Sequence, residues 1–272
     1  MKKIAVLFPV YKNDKLAFLS LAIESILDQT YQSLVLFIGV DGLVGEELYN
    51  CLQLYEKHDQ VKVRYFAENR GLAAVLNDLI TLCKEENYEF IARMDADDIS
   101  LPDRLEKQMH FLLTHPEIDV VGGSIMEIDE QGKSLNKKII YPSTPEGCKS
   151  FFAKRNPLAH PAVLFRYRYF EKSECLYRPE YRQNQDTLLW FDGLRKGCLM
   201  ANIPDVVLNF RMTNDLFKKR RNGYSFAKKS LRDRFMINKE LGYGLQSYIF
   251  AIMMFLITIS PVWLKKIAYR LR

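Results

Sequence analysis

The feature that most constrains the fold is a change of hydrophobic period that repeats along the first 130 residues. Ile4 to Val10 is a short unbroken apolar run, as a strand buried on both faces requires. Leu16, Leu19, Ile23, Ile26 and Leu27 then recur at helical spacing, with Asp14 placed to cap the helix. The alternation continues through a run from Leu34 to Val40, a helical stretch from Glu46 to Tyr55 and a strand pattern from Val61 to Phe66. A helix on Leu72, Val75, Leu76, Leu79 and Leu82 and a run from Phe90 to Met94 follow. Pro102 suits the first turn of another helix carrying Leu105, Met109 and Leu112. Val120 to Ile128, followed by Glu130-Gln131-Gly132-Lys133, predicts a strand and a hairpin. Strand and helix alternating in this way predict an α/β fold: a mostly parallel central sheet with helices on both faces.

The chain of 272 residues, 48% hydrophobic and 26% charged, has the composition of a globular domain large enough to bury its core without disulfide or structural metal. Five cysteines without a CxxC pattern show no zinc framework, and the opening residues run directly into a strand pattern with no secretory signal visible. The net charge of +6 is unevenly spread. Nine basic residues and two acidic ones lie between Arg211 and Arg234, which implies an anionic partner for the tail.

Parallel sheets bind ligands beyond the carboxyl ends of their strands, so the residues after each run are the candidates. They are Pro9-Val10-Tyr11, Asp41-Gly42, Glu68-Asn69-Arg70-Gly71 and Asp95-Ala96-Asp97-Asp98, and these four loops should converge on one site. No Gly-x-Gly-x-x-Gly and no P-loop is present, so bound phosphates need another neutralising group. Three carboxylates within four residues repel one another unless a divalent cation lies between them, and such a cation bridges to phosphate. The plainer reading is a solvated acidic turn ahead of a helix capped at Ser100.

These residues resemble glycosyltransferase family 2, the inverting sugar-nucleotide-dependent enzymes of GT-A fold. The likeness runs through Phe8-Pro9-Val10-Tyr11, Ser25-Ile26-Leu27-Asp28-Gln29-Thr30-Tyr31, Val40-Asp41-Gly42 and Asn69-Arg70-Gly71-Leu72-Ala73-Ala74. It is greatest in Ile91-Ala92-Arg93-Met94-Asp95-Ala96-Asp97-Asp98, and it continues in Ala159-His160-Pro161, Gln185-Asp186-Thr187-Leu188-Leu189-Trp190 and Asn202-Ile203-Pro204-Asp205. The resemblance implies that Asp41 bonds the nucleotide base, usually uracil, beside a wall formed by Pro9 and Tyr11, with Asn69 and Arg70 also on the donor. Asp95 would face the ribose and the metal, and Asp97 would coordinate Mn2+ or Mg2+ on the diphosphate. His160 and Asp98 are candidates for contact with acceptor or diphosphate, a loop histidine bonded to backbone being the plainer reading of His160. Val40 stands where the family often has a first Asp, and Gln185 where it often has Glu, so Asp186 alone is left as catalytic base. A helix N-cap role for Asp186 is compatible with that.

Leu245 to Leu264 contains no charged residue, and Lys265, Lys266, Arg270 and Arg272 follow. As one helix it would cover about 30 Å, just enough to span a bilayer, but Gln246, Ser247, Ser260 and Pro261 favour a segment lying in the interface. Trp263 and the basic stretches Lys218-Lys219-Arg220-Arg221 and Lys228-Lys229 suit anionic headgroups better than nucleic acid, for which no module is present. A buried core helix or an oligomer interface is the bland alternative for the apolar stretch.

The sequence therefore predicts a GT-A domain over 1–222 and a helical membrane-associating segment over 223–272. The expected activity is transfer of one sugar from a nucleotide-sugar, usually a UDP-sugar, to a lipid-linked or surface-glycan acceptor. Its setting is bacterial capsule, exopolysaccharide or O-antigen assembly at the cytoplasmic face of the inner membrane, with peripheral or monotopic attachment. A nucleotidyltransferase and a noncatalytic glycan- or membrane-binding scaffold are the alternatives.

Overall fold

A computed structural model describes residues 2–213, 223–261 and 264–265. β1 (Ile4–Val10), α1 (Leu16–Leu27), β2 (Leu34–Val40), α2 (Glu46–Tyr55), β3 (Val61–Tyr65), α3 (Leu72–Glu85) and β4 (Phe90–Arg93) follow in the expected alternation. The four strands pair in parallel in the order β3-β2-β1-β4. Because side chains alternate across a strand, each strand feeds two cores. Ile4, Val6, Phe8, Leu36 and Ile38 share one with Leu19, Ile23 and Ile26 of α1. Ala5, Leu7, Val35 and Phe37 share the other with Val75, Leu76 and Leu79 of α3. Gly39 marks the closest approach of α3 to the sheet, since a Cβ there would lie 2.5 Å from Val75 Cγ1.

Beyond β4 the sheet is mixed. β5 (Ile99–Ser100) pairs antiparallel with β9 (Met200–Arg211), which runs parallel to β6 (Val120–Ile128). β7 (Ser134–Ile139) returns beside β6 as the expected hairpin, and β8 (Leu164–Arg166) lies antiparallel between β4 and β6. The turn between β6 and β7 is too short for the crossover that a parallel neighbour needs. The remaining helices are α4 (Arg104–Thr114), α5 (Pro145–Phe152), α6 (Arg168–Ser173), α7 (Gln185–Arg195), α8 (Tyr224–Glu240) and α9 (Leu245–Ile259).

Two capping expectations are corrected. Asp14 does not cap α1: Lys15 occupies that position, and Asp14 Oδ2 accepts from Tyr11 N at 2.8 Å, closing the loop after β1 on a nearer free N–H. Ser100 lies in β5, and α4 starts after Asp103, whose side chain makes no capping bond. The buried Gln29, just past α1, does that work instead. Its Oε1 accepts from Leu105 N at 3.0 Å, one of the N–H groups that the start of a helix leaves without a partner. Its Nε2 donates to Ser25 O at 2.9 Å and Leu101 O at 2.7 Å. Beneath lies Arg104, also buried, with Nη2 donating to Arg93 O at 2.8 Å and Val163 O at 3.2 Å. Together these bonds lock the segment after β4 between α1 and α4.

α8 and α9 pack against each other, with Phe235 and Tyr248 in edge contact at 5.1 Å between ring centroids. α8 is tied to the body by Asn184 Nδ2 donating to Ser230 Oγ at 2.8 Å, and by Arg234 Nη1 donating to Phe152 O at 2.6 Å. The apolar stretch expected to run to Leu264 is helical only to Ile259, ending before Ser260-Pro261. No helix among the described residues is long and apolar enough to cross a membrane. Lys218, Lys219, Arg220, Arg221, Trp263, Lys266, Arg270 and Arg272 lie outside the described residues.

Replacing Gln29 by Ala leaves the buried N–H of Leu105 without its side-chain acceptor and removes the shortest donor to Leu101 O, which keeps the Arg104 N–H. A stability loss of about 2–3 kcal/mol is expected. Denaturant titration, comparing midpoints at constant slope, measures it.

Candidate active site

The four loops named from the sequence leave the same edge of the sheet, because β1, β2, β3 and β4 are parallel neighbours. Adjacent ends are bonded together: Asp41 N donates to Val10 O at 2.8 Å, Phe66 N to Val40 O at 3.0 Å and Met94 N to Leu7 O at 3.0 Å. Pro9 and Tyr11, partly exposed, therefore flank Asp41.

Asp41 is buried, and its carboxylate is directed at the loop after β3. Oδ1 accepts from Arg70 N at 2.7 Å, and Oδ2 accepts from Gly71 N at 2.8 Å and Asn69 Nδ2 at 2.9 Å. The side chain expected to meet the base thus also staples Asn69-Arg70-Gly71 into shape. Gly71 has φ of 92°, a region that favours glycine, and the Arg182 guanidinium lies where its Cβ would be. Arg182 Nη1 donates to Asn69 Oδ1 at 3.3 Å. Arg70, for which donor contact and a surface salt bridge are both expectations, turns its guanidinium over the Phe66 ring and pairs with Asp78.

The turn after β4 carries Asp95, Asp97 and Asp98, whose nearest carboxylate oxygens lie within 4.8 Å of one another. Asp95 and Asp97 are partly exposed, whereas Asp98 is buried. Asp98 Oδ1 accepts from Arg211 N at 2.8 Å, and its Oδ2 is buried without a hydrogen-bond partner. Burial first, and then the charges of Asp97 and Asp95, push the Asp98 carboxyl well above the usual carboxylate range. An all-oxygen set with one orphaned buried oxygen fits a hard divalent cation such as Mn2+ or Mg2+, and Asp95, Asp97 and Asp98 are the residues that would hold it.

Asp186 sits in the first turn of α7, two residues past Asn184, which occupies the N-cap position with φ of 61°. Its Oδ2 accepts from Asn156 Nδ2 at 2.8 Å, and Asn156 Oδ1 in turn accepts from Thr187 Oγ1 at 3.0 Å. This pair of bonds settles which way the Asn156 amide points and holds the carboxylate. His160 is hydrogen-bonded through Nε2 to the Tyr177 hydroxyl at 2.7 Å, so that nitrogen is already used within the protein. Burial, and then the positive charge of Arg93, hold the His160 pKa well below its ordinary value, and the ring is neutral. Burial raises the Tyr177 phenol above its ordinary pKa, opposed by the charge of Arg93 and reinforced by those of Asp186 and Asp95.

The model of glycosyl transferase family 2 matches residues 5–173, more than half of the chain. This chain belongs to glycosyl transferase family 2. Its relatives include the O-antigen biosynthesis glycosyltransferase WbnJ of Escherichia coli, 32% identical over 85% of this chain and 88% of the relative. Another, also from Escherichia coli, is the UDP-Gal:alpha-D-GlcNAc-diphosphoundecaprenol beta-1,3-galactosyltransferase, 28% identical over 92% of this chain and 88% of the relative. The crystal structure of S. aureus TarS 1-349 in complex with UDP-GlcNAc superposes with a TM-score of 0.68 at 14% identity, covering 93% of this chain and 70% of that one. The family 2 member described here is a glycosyltransferase with a GT-A-like sheet, which sets aside the nucleotidyltransferase and scaffold alternatives.

Sequence reading singled out Asp41, Asp95, Asp97, Asp98 and Asp186 in this glycosyltransferase, but not Arg93, Asn156, Tyr177, Arg182 or Arg211 as site residues. Arg93 had a visible signal, a charge inside the apolar run of β4; the others become site residues only through contacts between distant segments. Replacing Asp41 by Asn removes one of its two acceptor oxygens and places an N–H₂ against backbone donors. The Arg70 and Gly71 amides should then exchange with solvent about tenfold faster or more, as expected for losing one charge-assisted buried bond. Hydrogen–deuterium exchange resolved to that loop reads the change.

Proposed function

We propose that this family 2 enzyme is a metal-dependent inverting glycosyltransferase that moves one sugar from a UDP-sugar to a lipid-linked saccharide in bacterial surface polysaccharide assembly. The observation that carries this reading is the all-oxygen cluster of Asp95, Asp97 and Asp98, with one buried Asp98 oxygen unpartnered, in a chain whose Asp186 carboxylate is held by Asn156. Similarity to the diphosphoundecaprenol galactosyltransferase supports both the uridine donor and the lipid diphosphate acceptor. The WbnJ relative supports the polysaccharide setting.

In this reading Pro9, Tyr11, Asn69 and the Arg70 backbone, held by Asp41, form the base pocket, and Asp95 adds the ribose contact. A divalent ion, when bound, stabilises charge on the departing diphosphate. Asp186 takes the proton of the acceptor hydroxyl as its oxygen bonds to the anomeric carbon and the bond from that carbon to the diphosphate breaks, which inverts the configuration. Asn156 keeps the Asp186 carboxylate aimed. Asp98 anchors the acidic turn to Arg211 N, and the Tyr177 hydroxyl holds the His160 ring.

The tail supplies a docking face for an anionic membrane surface, at the cytoplasmic side of the inner membrane and in peripheral attachment. Leu245, Ile249, Ile252, Leu256 and Ile259 of α9 are exposed, and α9 has no charge. Lys228, Lys229, Arg232 and Phe235 of α8 line one surface beside it. Cations bordering an apolar face match acidic headgroups over acyl chains, whereas a second copy docked there would face like charge with like. The boundary between the glycosyltransferase domain, to residue 222, and this helical segment, from 223, follows the same division of labour.

Incubation with Mn2+ and a panel of nucleotide sugars should release UDP from one of them in the presence of acceptor. Asp186→Asn should lower transfer by about 10³-fold or more while leaving UDP-sugar affinity within about twofold. Unchanged transfer would remove Asp186 from the role of base, and release of inorganic diphosphate from a nucleoside triphosphate would replace the reaction class. The docking face has its own readout. Co-flotation with anionic phospholipid vesicles should be lost in Ile252→Glu/Leu256→Glu and weakened by salt, with UDP-sugar binding retained; a concentration-dependent dimer that ignores vesicles would overturn it.

A further inference from the structure

Arg93 breaks the apolar pattern of β4, and the reaction described above does not use it. The residue is 1% exposed, beneath the acidic turn. Nη2 is paired with Asp95 Oδ1, while Nε and Nη1 are buried without hydrogen-bond partners. A buried guanidinium with two idle donors is unfavourable on packing grounds alone, because desolvation is only partly repaid. Its neighbours differ from it in partners. Arg104 gives its donors to Arg93 O, Val163 O and Gln108 Oε1. Arg211 gives Nε to the carbonyl of Asp97 and Nη1 to those of Asp129 and Glu130, leaving Nη2 alone without a partner. Of these three buried arginines, Arg93 is the one that spends its charge on a carboxylate of the cluster.

The sign of the consequence follows from Coulomb's law. A divalent ion is drawn to the sum of the nearby carboxylates, and a fixed positive charge in contact with one of them subtracts from that attraction. The same charge lessens the mutual repulsion of Asp95, Asp97 and Asp98 when no ion is there. A nucleoside diphosphate adds negative charge of its own and restores what the guanidinium removes. We infer that Arg93 is a resident counter-ion of the acidic cluster, a positioning residue that holds Asp95 in the ion's absence and weakens the grip on a bare divalent ion, so that the cluster takes up ion and nucleoside diphosphate together. The inference rests on the reading of Asp95, Asp97 and Asp98 as the metal site. A purely structural role has the opposite sign, since damage to the floor would loosen ion binding.

Mn2+ binding to the full chain, followed by the electron paramagnetic resonance signal of the free ion with and without UDP, tests it. Arg93→Met keeps most of the side-chain length and removes the charge; it should bind Mn2+ alone about tenfold more tightly or more than the unsubstituted protein, and lose most of the gain that UDP brings. Arg93→Lys keeps the charge and should keep the weak binding of Mn2+ alone. Equal or weaker Mn2+ binding by Arg93→Met at an unchanged melting temperature overturns the inference, as does an Arg93→Lys protein that behaves like Arg93→Met. Should Arg93→Met not fold, the unsubstituted protein decides: a Mn2+ affinity that UDP raises about tenfold supports the inference, and one that UDP leaves unchanged overturns it. Failure of the metal-site reading itself looks different. Mn2+ would then not bind with or without UDP, and Asp97→Asn would alter nothing.

Discussion

Mutual repulsion among three carboxylates with oxygens within 4.8 Å of one another is the constraint around which this end of the molecule is built. Left to itself such a turn would splay. Here it is held from several directions at once: by Arg93 on Asp95, by the Arg211 backbone on Asp98, by the Arg211 side chain on the Asp97 carbonyl, and by the pairing of β5 with β9. Apart from Arg93, these contacts come from a segment distant in sequence, so the acidic turn takes this shape only in the folded chain. Such a cluster of like charges is one that a divalent ion would relieve, as the proposed function requires.

The support extends outward through buried polar side chains rather than through apolar packing alone. Gln29, Gln108 and Arg104 are fully buried and spend their donors mostly on carbonyls at the ends of elements. Burial is costly for such groups unless every partner is in register, so they tolerate few alternative placements of α4 against the sheet. Asn156 and Thr187 do the same for Asp186 at smaller scale. A transferase that must bring a donor and an acceptor to one carbon needs that rigidity.

The tail meets this machinery at α8. Asn184 and Tyr181, just before α7, bond Ser230 and Asp233, and Arg234 reaches the carbonyl of Phe152 near Asn156. The helix that carries the basic surface thus contacts both chain segments that bracket Asp186.

The strands and helices of the first half were legible because hydrophobic period is a local property: β1, α1, β2, α2, β3 and α3 fall where periods of two and 3.6 place them. The acidic turn and Asp41 were legible because they follow buried strands, where such sheets bind ligands, and Asp186 only through the likeness to family 2, since Asp is common at a helix start. What the order of residues could not settle was direction and partnership. The alternation predicts parallel pairing but not the antiparallel entry of β8 between β4 and β6, which depends on which edge remains free after the first four strands close. Asp14 and Ser100 stand where helix caps belong, yet each found a nearer partner in space. Arg70 lies against Phe66 and Asp78, partners that its place in the sequence did not name. By itself, then, the sequence determined which residues are buried in which elements and which carboxylates are available. Only the tertiary structure decided what each carboxylate faces, because hydrogen bonds and ion pairs are short-ranged and directional, and their partners here lie as far apart in the chain as Asp98 and Arg211.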